Sequence, residues 1–76
     1  MIEATRAKGP FEMEPHQWLP VKTPSGPKAT FTDTEGHEGL LTDHDIAADG
    51  TVTPSVVCTE EDCGFHDWVK LVGWAP

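Results

Sequence analysis

Five of the seven prolines in this 76-residue chain, Pro10, Pro15, Pro20, Pro24 and Pro27, fall before residue 28. Each lacks an N–H and pushes the residue before it out of the helical region, so neither a helix nor an unbroken central strand should continue through them. Lys22-Thr-Pro-Ser-Gly-Pro-Lys28 reads as a linker or turn. Yet Phe11, Met13, Trp18, Leu19 and Val21 punctuate the same stretch, and disordered tails are depleted in such residues. The pattern predicts an extended Pro-rich arm over residues 1–28 that docks on its own domain or on a partner. Phe11, Met13, Trp18 and Leu19 are its candidate partner-binding residues.

From Ala29 the pattern changes to short β-prone runs, which predicts a small β domain over residues 29–76. Thr30–Asp33 is brief, and Gly39–Ala47 alternates imperfectly. Asp49-Gly50 then marks a hairpin, because both turn positions tolerate positive φ. If the loop has two residues, partners across it sum to 99. Thr51–Cys58 returns, with Pro54 arguing for an edge or a bulge, and Phe65–Trp74 supplies a last strand rich in β-branched and aromatic residues. No segment keeps a helical period. The expected fold is small and mainly β, a three- to four-stranded antiparallel meander carrying a Cys/His metal turn. Alternation along the last strand puts Trp68, Lys70, Val72 and Trp74 on one face, read as core.

A domain this small buries only about 60 % of the surface its unfolded chain exposes, so a second source of stability is expected. Cys58-x4-Cys63-x2-His66 offers one. Zinc takes thiolate and imidazole ligands, and structural sites are closed tetrahedra of four. Gly64, just after the second cysteine, resembles the glycine of a zinc-knuckle turn. The hairpin register brings His37 opposite position 62, beside the cysteine turn, and makes it the leading fourth ligand. His44, opposite Ser55, follows, with His16 third. The expected cofactor is therefore one zinc ion on Cys58, Cys63, His66 and His37. With no secretory h-region after Met1, the cysteines are read as thiols of a reducing cytoplasm, with a Cys58–Cys63 disulfide as the alternative in an exported chain.

Other patterns are set aside. His37 and His44 are seven apart beside glycines, not four apart on a metalloprotease helix. The acids at Asp43, Asp45 and Asp49 miss the spacing of a calcium loop. No nucleophile–base pair stands out, so no catalytic residue is assigned and the chain is read as non-enzymatic. The net charge of −8 is uneven: residues 1–30 carry four basic groups against three acidic, whereas residues 31–76 carry Lys70 alone against ten acids. That balance disfavours phosphate contacts and direct nucleic-acid binding. It fits a basic protein partner, or imitation of a nucleic acid. No apolar run is long enough to span a membrane.

Thr53-Pro-Ser-Val-Val-Cys58 followed by Cys63-Gly-Phe-His66-Asp-Trp-Val69 resembles small uncharacterised proteins encoded by bacteriophages and prophages. In many of these a PS-V strand precedes a Cys/His turn and a further hydrophobic strand. The resemblance covers residues 37–74 and implies a phage-type accessory protein with a metal-stabilised β fold, working in the host cytoplasm or associated with the virion. Two roles follow as expectations. One is a zinc-stabilised protein that binds a host or viral protein, by nucleic-acid mimicry or as an inhibitor of a host factor. The other is a structural virion or assembly component whose arm threads along neighbouring subunits.

Overall fold

The Pro-rich segment is built into a hairpin. In the computed structural model, which describes residues 1–58, 60 and 62–75, β2 (Gln17–Thr23) and β3 (Gly26–Thr32) pair antiparallel from Gln17↔Thr32 to Thr23↔Gly26. Pro24 and Ser25 form the loop, closed by the Thr23 hydroxyl, which donates to Gly26 O at 2.8 Å and accepts from Ser25 N at 3.2 Å. The phase of the ladder explains why Pro20 and Pro27 are tolerated. Ala7 N donates to Trp18 O, and Leu41 N donates to Ala29 O. Residues 18, 20 and 22 therefore turn their backbone groups away from β3, and residues 27, 29 and 31 turn theirs away from β2. Neither proline removes a bond of the hairpin.

This replaces the extended arm expected over residues 1–28. β1 (Ile2–Arg6) lies inside a five-stranded sheet of order β4-β3-β2-β1-β9, with β4 spanning Glu38–Leu40 and β9 Val69–Leu71. β1 is parallel to both neighbours, in register Thr5↔Gln17 with β2 and Ile2↔Val69 with β9. A parallel pair cannot be joined by a tight turn, so residues 7–16 cross over between β1 and β2. The sheet is mixed, and the antiparallel meander is not the arrangement formed. Two further pairs complete the β structure: β5 (Asp45–Ile46) with β6 (Val52–Thr53), and β7 (Val56–Val57) with β8 (His66–Asp67). Among the described residues there is no helix, and hence none long and apolar enough to cross a membrane.

The core comprises Ala4, Trp18, Ala29, Phe31, Leu41, Val52, Val56, Val69 and Leu71, with Ile2, Ile46, Phe65 and Trp74 packed against it. Trp18 is 0 % exposed; its ring meets Trp74 at 5.5 Å between centroids, and its indole N–H donates to Val72 O at 3.1 Å. Trp18 is thus the centre of the core and not contact surface. Leu19 and Met13 are half-buried, and only Phe11 of the four expected contacts stands free, 99 % exposed. On β9 it is Val69 and Leu71 that face inward, whereas Trp68 is 50 % exposed. The parity of the last strand is opposite to that expected, although Trp74, beyond the strand end, still reaches the core.

The Asp-Gly hairpin also forms one residue out of the expected register. Its partners are Asp45↔Thr53 and Ile46↔Val52, summing to 98, and the loop holds three residues, Ala48, Asp49 and Gly50. Gly50 has φ 92° and Leu71 N donates to its carbonyl at 2.8 Å. A Cβ at this position would run into the Leu71 carbonyl oxygen. Positive φ and close backbone approach both require glycine here.

Candidate metal centre

Two turns converge at one end of the sheet. The first links β3 to β4. Asp33 directly follows β3, and its Oδ1 accepts from Glu35 N at 2.9 Å and from His37 N at 3.0 Å. Backbone bonds from Asp33 N to His37 O and from Gly36 N to Asp33 O close the turn, with Gly36 at φ 84°. An aspartate bonding the backbone two residues on is how that side chain initiates a turn. Because Oδ1 is committed, Oδ2 is the oxygen left to face outward from the turn.

The second turn links β7 to β8. Cys58 N donates to Phe65 O and Cys63 N to Glu60 O. The cysteines thereby face the first turn. His37 Nδ1 lies 3.4 Å from Cys58 Sγ, Cys63 Sγ lies 3.6 Å from Asp33 Oδ2, and Asp33 Oδ2 lies 3.8 Å from His37 Nδ1. One donor atom from each of Asp33, His37, Cys58 and Cys63 lies within 4.8 Å of the others. Zinc–sulfur bonds near 2.3 Å and zinc–nitrogen or –oxygen bonds near 2.0–2.2 Å make a tetrahedron with edges of about 3.3–3.8 Å. The three distances span the same range. Two sulfurs, one nitrogen and one oxygen form a set that can hold a metal ion, and its softness is consistent with zinc.

The electrostatics agree with that capacity. Asp33 is 3 % exposed, and burial alone would raise its pKa. Hydrogen bonding to Cys58, to the His37 and Glu35 amides and to Cys63 outweighs burial and holds it below the ordinary carboxylate value. Cys58 moves the other way. Its hydrogen bond with Cys63, then burial, then the Asp33 carboxylate push the thiol up to about 12. Three groups able to carry negative charge share one small space, and a divalent cation is the partner that lets all three do so.

Four residues were expected to meet here. Cys58, Cys63 and His37 do; His66 does not. Across the β7–β8 pair, Val57 is opposite His66 and Cys58 is opposite Phe65. Side chains alternate between faces, so His66 shares its face with Val57 and Ser55, opposite to Cys58. Its Nε2 lies 2.7 Å from Ser55 Oγ. His44, the second candidate, sits near the same serine with Nε2 3.3 Å from Ser55 O, and His16 lies beside Thr34 Oγ1. The residue that sequence reasoning missed is Asp33. Its signal was the run Asp33-Thr-Glu-Gly36-His37, a turn-forming aspartate four residues before the favoured histidine.

A groove of about 220 Å³ runs from the cluster between β4 and β7. Phe31, Leu41 and Val56 supply apolar lining, and Glu38, Asp43 and Glu60 supply carboxylates. No protein-family model, curated protein or solved structure matches the chain.

Proposed function

We propose that the chain is a non-enzymatic binding protein of the phage accessory type, fastened by one structural zinc ion on Asp33, His37, Cys58 and Cys63. The observation carrying the reading is the approach of those four donor atoms to within 4.8 Å of one another, contributed by two turns far apart in sequence. A four-donor set saturates a tetrahedral ion, which favours a structural over a catalytic role. Zinc here joins the β3–β4 turn to the β7–β8 turn, so its binding energy is folding energy.

The partner side of the proposal rests on the acidic half of the chain and the acidic, apolar-lined groove beside the metal. A basic segment of a partner protein fits both features. Exposed Phe11 and Trp68 offer aromatic contacts of the kind that anchor interfaces. The zinc-bound binding protein is favoured over the threaded assembly component because residues 2–6, 17–23 and 26–28 of the expected arm are strands of the sheet.

Elemental analysis of protein purified without added metal tests the zinc reading directly. One zinc per chain is expected, falling sharply in Asp33→Ala while His66→Ala keeps its metal. Correctly folded wild-type protein that neither carries nor takes up zinc would overturn it.

A further inference from the structure

The cysteine pair of this centre is built for a second chemistry. Cys58 and Cys63 are both free thiols and both partly exposed. Their sulfurs belong to the cluster whose donor atoms all lie within 4.8 Å of one another. A disulfide closes at about 2.05 Å between sulfurs, and two sulfurs already within 4.8 Å of each other start close to that contact. The His37 side chain is 42 % exposed, so the site opens to solvent on that side. The remaining donors make no site of their own: Asp33 and His37 come from one turn and offer one oxygen and one nitrogen.

We propose that Cys58 and Cys63 form a peroxide-responsive pair whose oxidation to an intramolecular disulfide expels the zinc and releases the β7–β8 turn from the β3–β4 turn. This rests on the zinc reading above. One thiolate attacks a peroxide oxygen; the O–O bond breaks, giving a sulfenic acid and, after protonation, water. The second thiolate attacks the sulfenic sulfur, the S–S bond forms, and the departing hydroxide takes up a proton. Two electrons pass from the sulfur pair to the peroxide, two protons are consumed, and the product is one disulfide and two waters. Disulfide sulfurs carry no negative charge, and it is the thiolate that ligates zinc. With two donors left of four, Zn²⁺ passes to water. A dithiol reductant reverses the bond by thiol–disulfide exchange and regenerates the site.

The test uses the full chain loaded with zinc, treated with hydrogen peroxide at increasing equivalents. Released zinc is read with a metallochromic indicator, free thiols by titration and the product by intact mass. The expected result is one zinc released for every two thiols lost, a monomer lighter by two hydrogens, and full zinc rebinding after reduction. Cys58→Ser, read by mass alone, should give no such product. Zinc retained while the disulfide accumulates overturns the switch alone. So does zinc lost with oxygen added to sulfur and no recovery on reduction. Absence of zinc from the reduced, zinc-equilibrated protein is seen before peroxide is added and overturns the metal reading itself, and the switch with it.

Discussion

Between Gln17 and Thr32 the backbone forms an unbroken register from one end of the hairpin to the other, flanked by β1 on one side and β4 on the other. Between Asp45 and Asp67 the ladders are two-residue pieces, 45–46 with 52–53 and 56–57 with 66–67. Isolated pairs of that size have no independent stability in water. What holds the second region is side-chain chemistry: Val52 and Val56 in the shared core, Gly50 seated on the Leu71 carbonyl, and the cysteines facing Asp33 and His37. One chain thus uses two means of closing a small fold, and the second is employed where strands are too short for the first.

Removing what the regions share should erase the difference. Trp18→Ala deletes the largest fully buried side chain together with its bond to Val72 O. A loss of about 3–5 kcal/mol is expected, enough to unfold both regions at once in a denaturant titration. Removing the metal should instead expose the contrast. Chelation costs about 4 kcal/mol where free zinc had stood about 1,000-fold above its Kd. In amide exchange the loss should concentrate at residues 56–67, with residues 17–32 keeping most of their protection. Uniform loss across both would mean that the regions form one cooperative unit.

Gly50→Ala attacks the joint between them. The new methyl meets the Leu71 carbonyl and the backbone keeps a positive φ, so about 2–3 kcal/mol should be lost, read as a lower midpoint with unchanged zinc content. In metal-free protein, alkaline pH acts on the second region through Cys58. The Cys58 thiol is pushed up to about 12, from 9.0 for an ordinary thiol, first by its hydrogen bond with Cys63 and then by burial. Above pH 9 the unfolded chain gives up a proton that the folded chain keeps. This group's contribution is therefore whole below pH 9 and is lost as pH rises toward about 12. A metal-free midpoint that climbs over that window would contradict the geometry around Cys58. The smallest effect belongs to His66→Ala, which gives up an exposed bond to Ser55 and should cost no more than about 1 kcal/mol with zinc retained. Zinc loss in that variant would return His66 to the ligand set in place of Asp33.

The β character and the chemistry of the cysteine turn were legible because they rest on local signals: β-branched runs, an Asp-Gly loop and two thiols bracketing a turn. Placement was less legible because it rests on pairing. Prolines read as barriers to a strand are harmless at Pro20 and Pro27, where the missing N–H points off the hairpin, and only the ladder phase reveals that. His66 was chosen by its spacing after Cys63 and Trp68 by alternation along its strand, but the face each takes is set by cross-strand register, where one residue reverses every face. Asp33 escaped because carboxylates are common among ten acids in that half of the chain, and nothing in composition distinguishes the one held by its own turn.

The parallel seating of β1 bears on when the fold can form during synthesis. Ile2 is aligned with Val69, so a strand near the start of the described chain waits for one near its end before its second flank is covered. The β2–β3 hairpin is local and can close as soon as it leaves the ribosome, but β1 then has one neighbour at most. Pairings of such long sequence separation form slowly, because loop closure precedes any gain from contact. The nascent chain therefore carries an open strand edge on β1 until residues 69–71 emerge.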